Sequence, residues 1–242
     1  MAHPLTDKTV TRETLVDVVE RSLRSEILGG SYAPGEYLPP ARELAEQYGV
    51  TRTSLKHALV RLAQAGLLET KHGVGTRVRD YERHGGIGLL PMLVAAGAPG
   101  WIQSIFEVRT EIGAVIAVRA ARHATAGQRA RLDTLTGDLR DAGSADEAQL
   151  VECEWHRELA VATGNRVYPL LINVVLDTYL RQRQVLRGPF TDPVAAAERL
   201  EPLTRAVVEG APSSEVHEAA VAYLDQTGRL MIESMSSAGG DE

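Results

Sequence analysis

The sequence predicts a mostly α-helical protein in two parts: a small N-terminal module of helices closed by a β-hairpin, and a larger all-helical bundle. Three observations predict it. Apolar residues recur at helical spacing over most of the chain. Strand-like signals are confined to residues 67–80. Aromatic residues are 5% of a chain that is 44% hydrophobic, so the core must be built of Leu, Val, Ile and Ala, a mix that suits packed helices better than a large sheet. At 242 residues the chain is long enough to bury a sizeable core in one large or two modest domains.

The elements follow in order. Leu15, Val18, Val19, Leu23 and Ile27 mark an amphipathic helix over 15–28, ended by Gly29-Gly30. The segment SYAPGEYLPP (31–40) is turn chemistry. A short helix over 41–48 turns Leu44 and Ala45 inward, and Gly49 is placed to cap it in the left-handed conformation. Thr51 then caps a second helix, whose buried stripe is Leu55, Ala58, Leu59 and Leu62 and which Gly66 stops. Two helices joined by so tight a turn form a helix-turn-helix. LLETKHGVGTRVRD (67–80) reads as two short strands about a glycine-bearing loop, a basic hairpin in the position of a wing. The fold expected at this end is therefore a winged helix-turn-helix. Beyond residue 86, helices are expected over 88–96, 102–123, 126–142, 146–163, 166–186, 193–209 and 213–235. The domains expected are 1–80, a linker at 81–87, and an all-helical ligand-sensing and dimerisation domain over 88–236.

The charge distribution points to a partner. The net charge is −6, but residues 1–80 carry 11 bases against 10 acids, whereas 81–242 carry 15 against 22. Within 50–79, Arg52, Lys56, Arg61, Lys71, Arg77 and Arg79 face the single acid Glu69. Such a concentration of cations beside an acidic domain is the layout of a nucleic-acid-binding module. Cys153 is the only cysteine, so no intrachain disulfide forms, which fits a reducing cytoplasm. The polar N-terminus lacks the apolar core of a signal peptide. The longest uncharged stretch, 85–100, is broken by Pro91 and too short for a membrane helix. The expected location is cytoplasmic, with no membrane partner.

Residues 39–78 resemble, with continuous spacing, the DNA-binding domain of the GntR family of bacterial regulators. FEVRTEIGAVIAVRAA (106–121) and WHRELAVATGN (155–165) resemble the all-helical effector domain of its FadR branch, and the likeness is greatest to the fatty-acid-responsive members. HGGIGLLPMLVAAG (84–97) and VHEAAVAYLDQTG (216–228) carry it into the linker and the last helix. The resemblance implies a homodimer on a double-stranded operator. It also implies DNA contacts from Arg42, Thr51, Arg52, Thr53, Ser54, Lys56 and His72. The chemistry agrees. Arg52 can pair bidentately with guanine in the major groove, and short hydroxyls suit phosphates. His72 stands at the wing tip. Lys56 stands where those members have arginine, so that contact becomes a point charge rather than a planar fork.

For the effector, the resemblance implies a small molecule held in the helical domain. Many members of the branch bind a metal there through an Asp and three His. Here those positions hold Glu152, His156, Leu200 and Tyr223, so no metal is expected; Glu152 and His156 alone make a poor site. The fatty-acid-responsive members lack that metal site too and bind long-chain acyl-coenzyme A, which makes an acyl-CoA the expected ligand. Candidate residues for its binding are Glu152, His156, Tyr223, Asp225, Thr227 and Met231 from the resemblance, and Arg109 and Tyr179 from their own chemistry and placement on neighbouring helices. The last helix departs from that pattern, with Leu224 for a glycine and Met231 for a tryptophan. Arg109 suits either an anionic ligand group or a structural ion pair. The alternative ligand is a small carboxylate or amino acid, with or without a metal. No phosphate loop, nucleophile elbow or CxxC pair is present, and Cys153 three residues before His156 is a weak nucleophile signal. No enzyme activity and no cofactor are expected.

Overall fold

The computed structural model describes residues 14–71, 73–95 and 100–238. The chain divides into two compact units, Met1–Ala98 and Pro99–Glu242.

In the first unit, α1 (Leu15–Leu28) starts at a reciprocal cap. The Thr14 hydroxyl accepts from the Asp17 amide, and Asp17 accepts from the Thr14 amide. Val19, Leu23 and Ile27 are its buried stripe. Helix α2 (Ala41–Gln47) buries Leu44 and Ala45. The chain then reverses through Gly49 at φ 64°, a conformation that costs a residue with a Cβ about 1–2 kcal/mol. Thr51 caps α3 (Arg52–Gln64), its hydroxyl accepting from the Ser54 amide at 3.1 Å. Leu55, Ala58, Leu59 and Leu62 face inward, as their spacing requires. The hairpin pairs β1 (Leu68–Lys71) with β2 (Gly75–Val78), antiparallel, Leu68 opposite Val78 and Lys71 opposite Gly75. Tyr37 adds a single bridge to Arg77. Arg61 ties α3 to α1 by ion pairs with Asp17 at 2.7 Å and Glu20 at 3.2 Å.

A turn of helix, α4 (Tyr81–His84), follows where a linker is expected, capped by the Asp80 carboxylate. The helix expected over 88–96 begins as a 3-10 turn, Ile87–Leu89, and continues as α5 (Leu90–Ala95). Leu89 and Leu93 are buried, and the first compact unit runs through this helix to Ala98.

The second unit is a bundle of α6 (Trp101–His123), α7 (Ala126–Arg140), α8 (Ala145–Ala162), α9 (Val167–Arg181), α10 (Pro193–Glu209) and α11 (Ser213–Ala238). Thr125, Ser144 and Asp192 cap α7, α8 and α10. Helix α6 packs on α11, α7 on α10 and α8, and α9 on α8. Alanines 114, 117, 120 and 121 line the buried side of α6 and permit close approach. Gly113 belongs to the same surface, since a Cβ there would meet Leu224 Cδ1 at 2.5 Å. Trp155, Phe190, Leu132, Leu139, Leu200 and Ile116 fill the centre. Arg129 clasps two helix ends. It donates to the carbonyls of Ala121 on α6 and of Val207 and Val208 on α10, satisfying acceptors that a helix C-terminus leaves open. No helix among the described residues is long and apolar enough to cross a membrane.

A candidate nucleic-acid interface and a candidate effector site

The side of α3 opposite its buried stripe is the candidate nucleic-acid interface. Arg52, Thr53 and Lys56 are exposed on it, and Arg52 and Lys56 make no ion pair among the described residues. Arg61 does not belong to it, being committed to α1. Thr51 and Ser54 have a local task as well, their hydroxyls 3.0 Å apart at the helix start. Arg42 is exposed on α2 and pairs with Glu46 at 3.0 Å, a surface pair worth little and readily exchanged for a phosphate. His72 lies outside the described residues. In the hairpin, Arg77 is held by Glu69 at 2.6 Å, and Thr70 and Thr76 join hydroxyls at 2.9 Å across the strands. His57 is a residue the sequence reading missed. It is exposed one turn on from Thr53, on the same outer face, and that four-residue spacing was its signal.

The second site is a buried polar cluster in the helical bundle. Glu152 on α8 is 2% exposed. One of its oxygens accepts from His156 at 2.8 Å, from the Tyr223 hydroxyl at 2.9 Å, and from Arg109 at 3.4 Å. Arg109 also donates to the Leu224 carbonyl at 3.2 Å. Burial alone pushes the Glu152 carboxyl up; His156, Arg109 and Tyr223 outweigh it and hold it at about 2. The Tyr223 phenol is pushed well up by burial and by the adjacent carboxylate. Three side chains, from α6, α8 and α11, thus converge on one charge. Thr227 and Met231 continue the Tyr223 face of α11 at four-residue steps, both buried. The Thr227 hydroxyl makes no hydrogen bond of normal geometry among the described residues.

Two expected residues stand apart. Asp225 is exposed and accepts from Thr110 at 2.9 Å. Tyr179 on α9 accepts from Gln149 at 2.6 Å instead of joining Glu152. No group of three His, Cys, Asp or Glu able to hold a metal occurs among the described residues. The donor set at Glu152 also fits a metal badly, with a guanidinium and a phenol in the remaining places. Cys153 is buried, and burial pushes its thiol up, the reverse of what a nucleophile needs.

Comparison with known proteins assigns a family to each half of the chain. The family model for bacterial regulatory proteins of the gntR family matches residues 15–78, and the model for the FCD domain matches 104–225. The chain is 30% identical to the uncharacterized HTH-type transcriptional regulator Rv0494 of Mycobacterium tuberculosis, over 97% of this chain and 98% of that one. It is 34% identical to a fatty acid metabolism regulator protein of Pectobacterium atrosepticum over 73% of this chain and 72% of the relative. It is 30% identical to one from Escherichia coli over 92% of each. Among solved structures, Lar, which controls the expression of the Listeria monocytogenes agr system, shares the fold at a TM-score of 0.55. It is 14% identical, over 93% of this chain and 98% of that one.

Proposed function

The chain belongs to the GntR family of bacterial regulatory proteins, a DNA-binding regulator with an FCD effector domain rather than an enzyme, and from that premise we propose that it is a repressor released from a palindromic operator by a long-chain acyl-CoA or related fatty-acid ligand. The observation that carries the DNA half is the exposed, unpaired face of Arg52, Thr53 and Lys56 on α3. In a homodimer two such helices enter successive major grooves, and the operator repeats the two-fold symmetry of the protein. Arg52 reads a base, Lys56 neutralises a phosphate, Arg42, Thr51, Thr53 and Ser54 fix the register against the backbone, and His72 at the wing tip reaches the minor-groove edge.

Support for the ligand comes from two sides. Several relatives at 30–34% identity are named fatty acid metabolism regulators. Helix α9, rich in Leu, Val and Ile, buries only Leu176 and Thr178 fully, so the helical unit retains apolar surface for a hydrocarbon chain. Arg109, Glu152, His156 and Tyr223 then form the polar end of the site, with Thr227, Met231 and Tyr179 bordering it and Asp225 outside it. Binding of the ligand shifts the population toward a state with lower operator affinity.

Titration of operator complexes with a long-chain acyl-CoA tests the reading. Operator affinity should fall as the ligand saturates. Unchanged affinity would reject the acyl-CoA, and a fall with short carboxylates or amino acids instead would transfer the role to them.

A further inference from the structure

Within the acidic half of the chain, one groove is lined by more arginines than acids. A groove of about 560 Å³ runs between the C-terminal half of α6 and the start of α11. Arg119, Arg122, His123 and His217 line it, together with Ser213; Glu218 is its one acid. Neither arginine has a carboxylate partner among the described residues. Arg119 donates Nε to the Thr163 carbonyl at 3.1 Å. Arg122 aims two donors, Nε at 3.2 Å and Nη2 at 2.7 Å, at the single hydroxyl oxygen of Ser213.

Arg119 and Arg122 are spaced i, i+3 on α6, a like-charge arrangement that disfavours an isolated helix. The helix dipole offsets that cost for Arg122, which lies in the last turn. Arg119 commits its Nε to the Thr163 carbonyl at the end of α8, and His217 reaches the groove from a second helix.

We propose that this groove binds a phosphate-bearing anion. Two guanidiniums supply planar forks for oxyanion pairs, and the two imidazoles add ring N–H donors, a set that matches a phosphate dianion better than a monovalent carboxylate. The Ser213 hydroxyl stands where one anion oxygen would meet the Arg122 fork. The volume lies in the range of small-molecule sites, so an organic phosphate fits as well as a free one. The site is about ten residues, or about 15 Å, along α6 from Arg109, and it stands whichever effector the Glu152 cluster answers to.

Isothermal titration at fixed ionic strength tests it with three probes: orthophosphate, pyrophosphate and adenosine 3′,5′-bisphosphate. One saturable site per chain is expected for at least one of them. Arg122→Gln should weaken it at least ten-fold. Ser213→Asp should do the same while keeping every cation, because its carboxylate occupies the Arg122 fork; an acid in the first turn of α11 also favours the helix, so the fold is retained. The double variant Arg52→Ala/Lys56→Ala should keep the site. Equal binding of all three probes identifies free phosphate as the ligand, and binding of the bisphosphate alone identifies an organic one. Absence of saturable binding for every probe, undiminished binding in Ser213→Asp, or loss of the site in the Arg52/Lys56 variant overturns the proposal.

Discussion

Two arginines nine residues apart on α3, Arg52 and Arg61, look alike in sequence and differ in the fold. Arg61 is pinned between Asp17 and Glu20 on α1, and Arg52 is free among the described residues. Replacing Arg52 with Ala should cost operator binding about 1–3 kcal/mol and blur one base position, while leaving thermal stability unchanged. Glu152 belongs to the opposite class, a buried charge with three donors. Glu152→Gln leaves Arg109 and His156 uncompensated, and chemical denaturation should show a loss of roughly 3–5 kcal/mol. Its pH signature follows from the depressed carboxyl. The folded value is about 2 and the unfolded one about 4.3, so the stabilisation is complete above pH 5 and is lost as pH falls toward 2. Both tryptophans, Trp101 and Trp155, lie in the second unit, so fluorescence-detected denaturation at pH 7, 5 and 3 reads this limb directly. The variant should flatten it. The Glu152–His156 pair was legible as a four-residue step on one helix. Its partners Arg109 and Tyr223 come from other helices, where spacing carries no information: Arg109 stood out as an arginine on a helix with apolar neighbours, and Tyr223 through the family resemblance.

Helices with side-chain caps were legible almost to the residue. Thr125, Ser144 and Asp192 each open a helix within one residue of its expected start, and α10 spans 193–209 as read. Two elements were not legible. The helix expected over 166–186 stops at Arg181 although QRQVLR continues with good helix formers. There, tertiary contacts override propensity: Arg183 pairs with Asp146 at 2.6 Å and its carbonyl accepts from Gln149 at 2.9 Å, drawing the chain toward α8. The helix expected from residue 88 starts late because Pro91, lacking an N–H, belongs in a first turn and sits in that of α5. The Arg129 clasp also escaped the sequence reading, since its acceptors are backbone carbonyls of α6 and α10. Arg129→Ala should therefore lower stability by about 2–4 kcal/mol, measurable as a lower unfolding midpoint with operator preference intact.

For the whole molecule, the uneven charge along the chain made the two-part organisation visible: a nearly neutral N-terminal module with a basic α3 and hairpin, joined to an acidic helical unit. Regulation requires the two units to communicate, and thermodynamic linkage makes the coupling reciprocal. If an acyl-CoA weakens operator binding by a given factor, saturating operator should weaken acyl-CoA binding by that same factor, which calorimetry with and without DNA measures. Sedimentation should give twice the 26.2 kDa chain mass, since a palindromic site calls for two copies of α3. The central claim is that the exposed face of α3 reads a duplex. Selection of bound sequences from a random duplex library, with the wild type and with Arg52→Ala in parallel, tests it most directly. The account predicts a two-fold symmetric motif for the wild type and a relaxed preference at one symmetric pair of positions for the variant. Enrichment of no motif by the wild type, or of the same motif equally sharp in both, would contradict it.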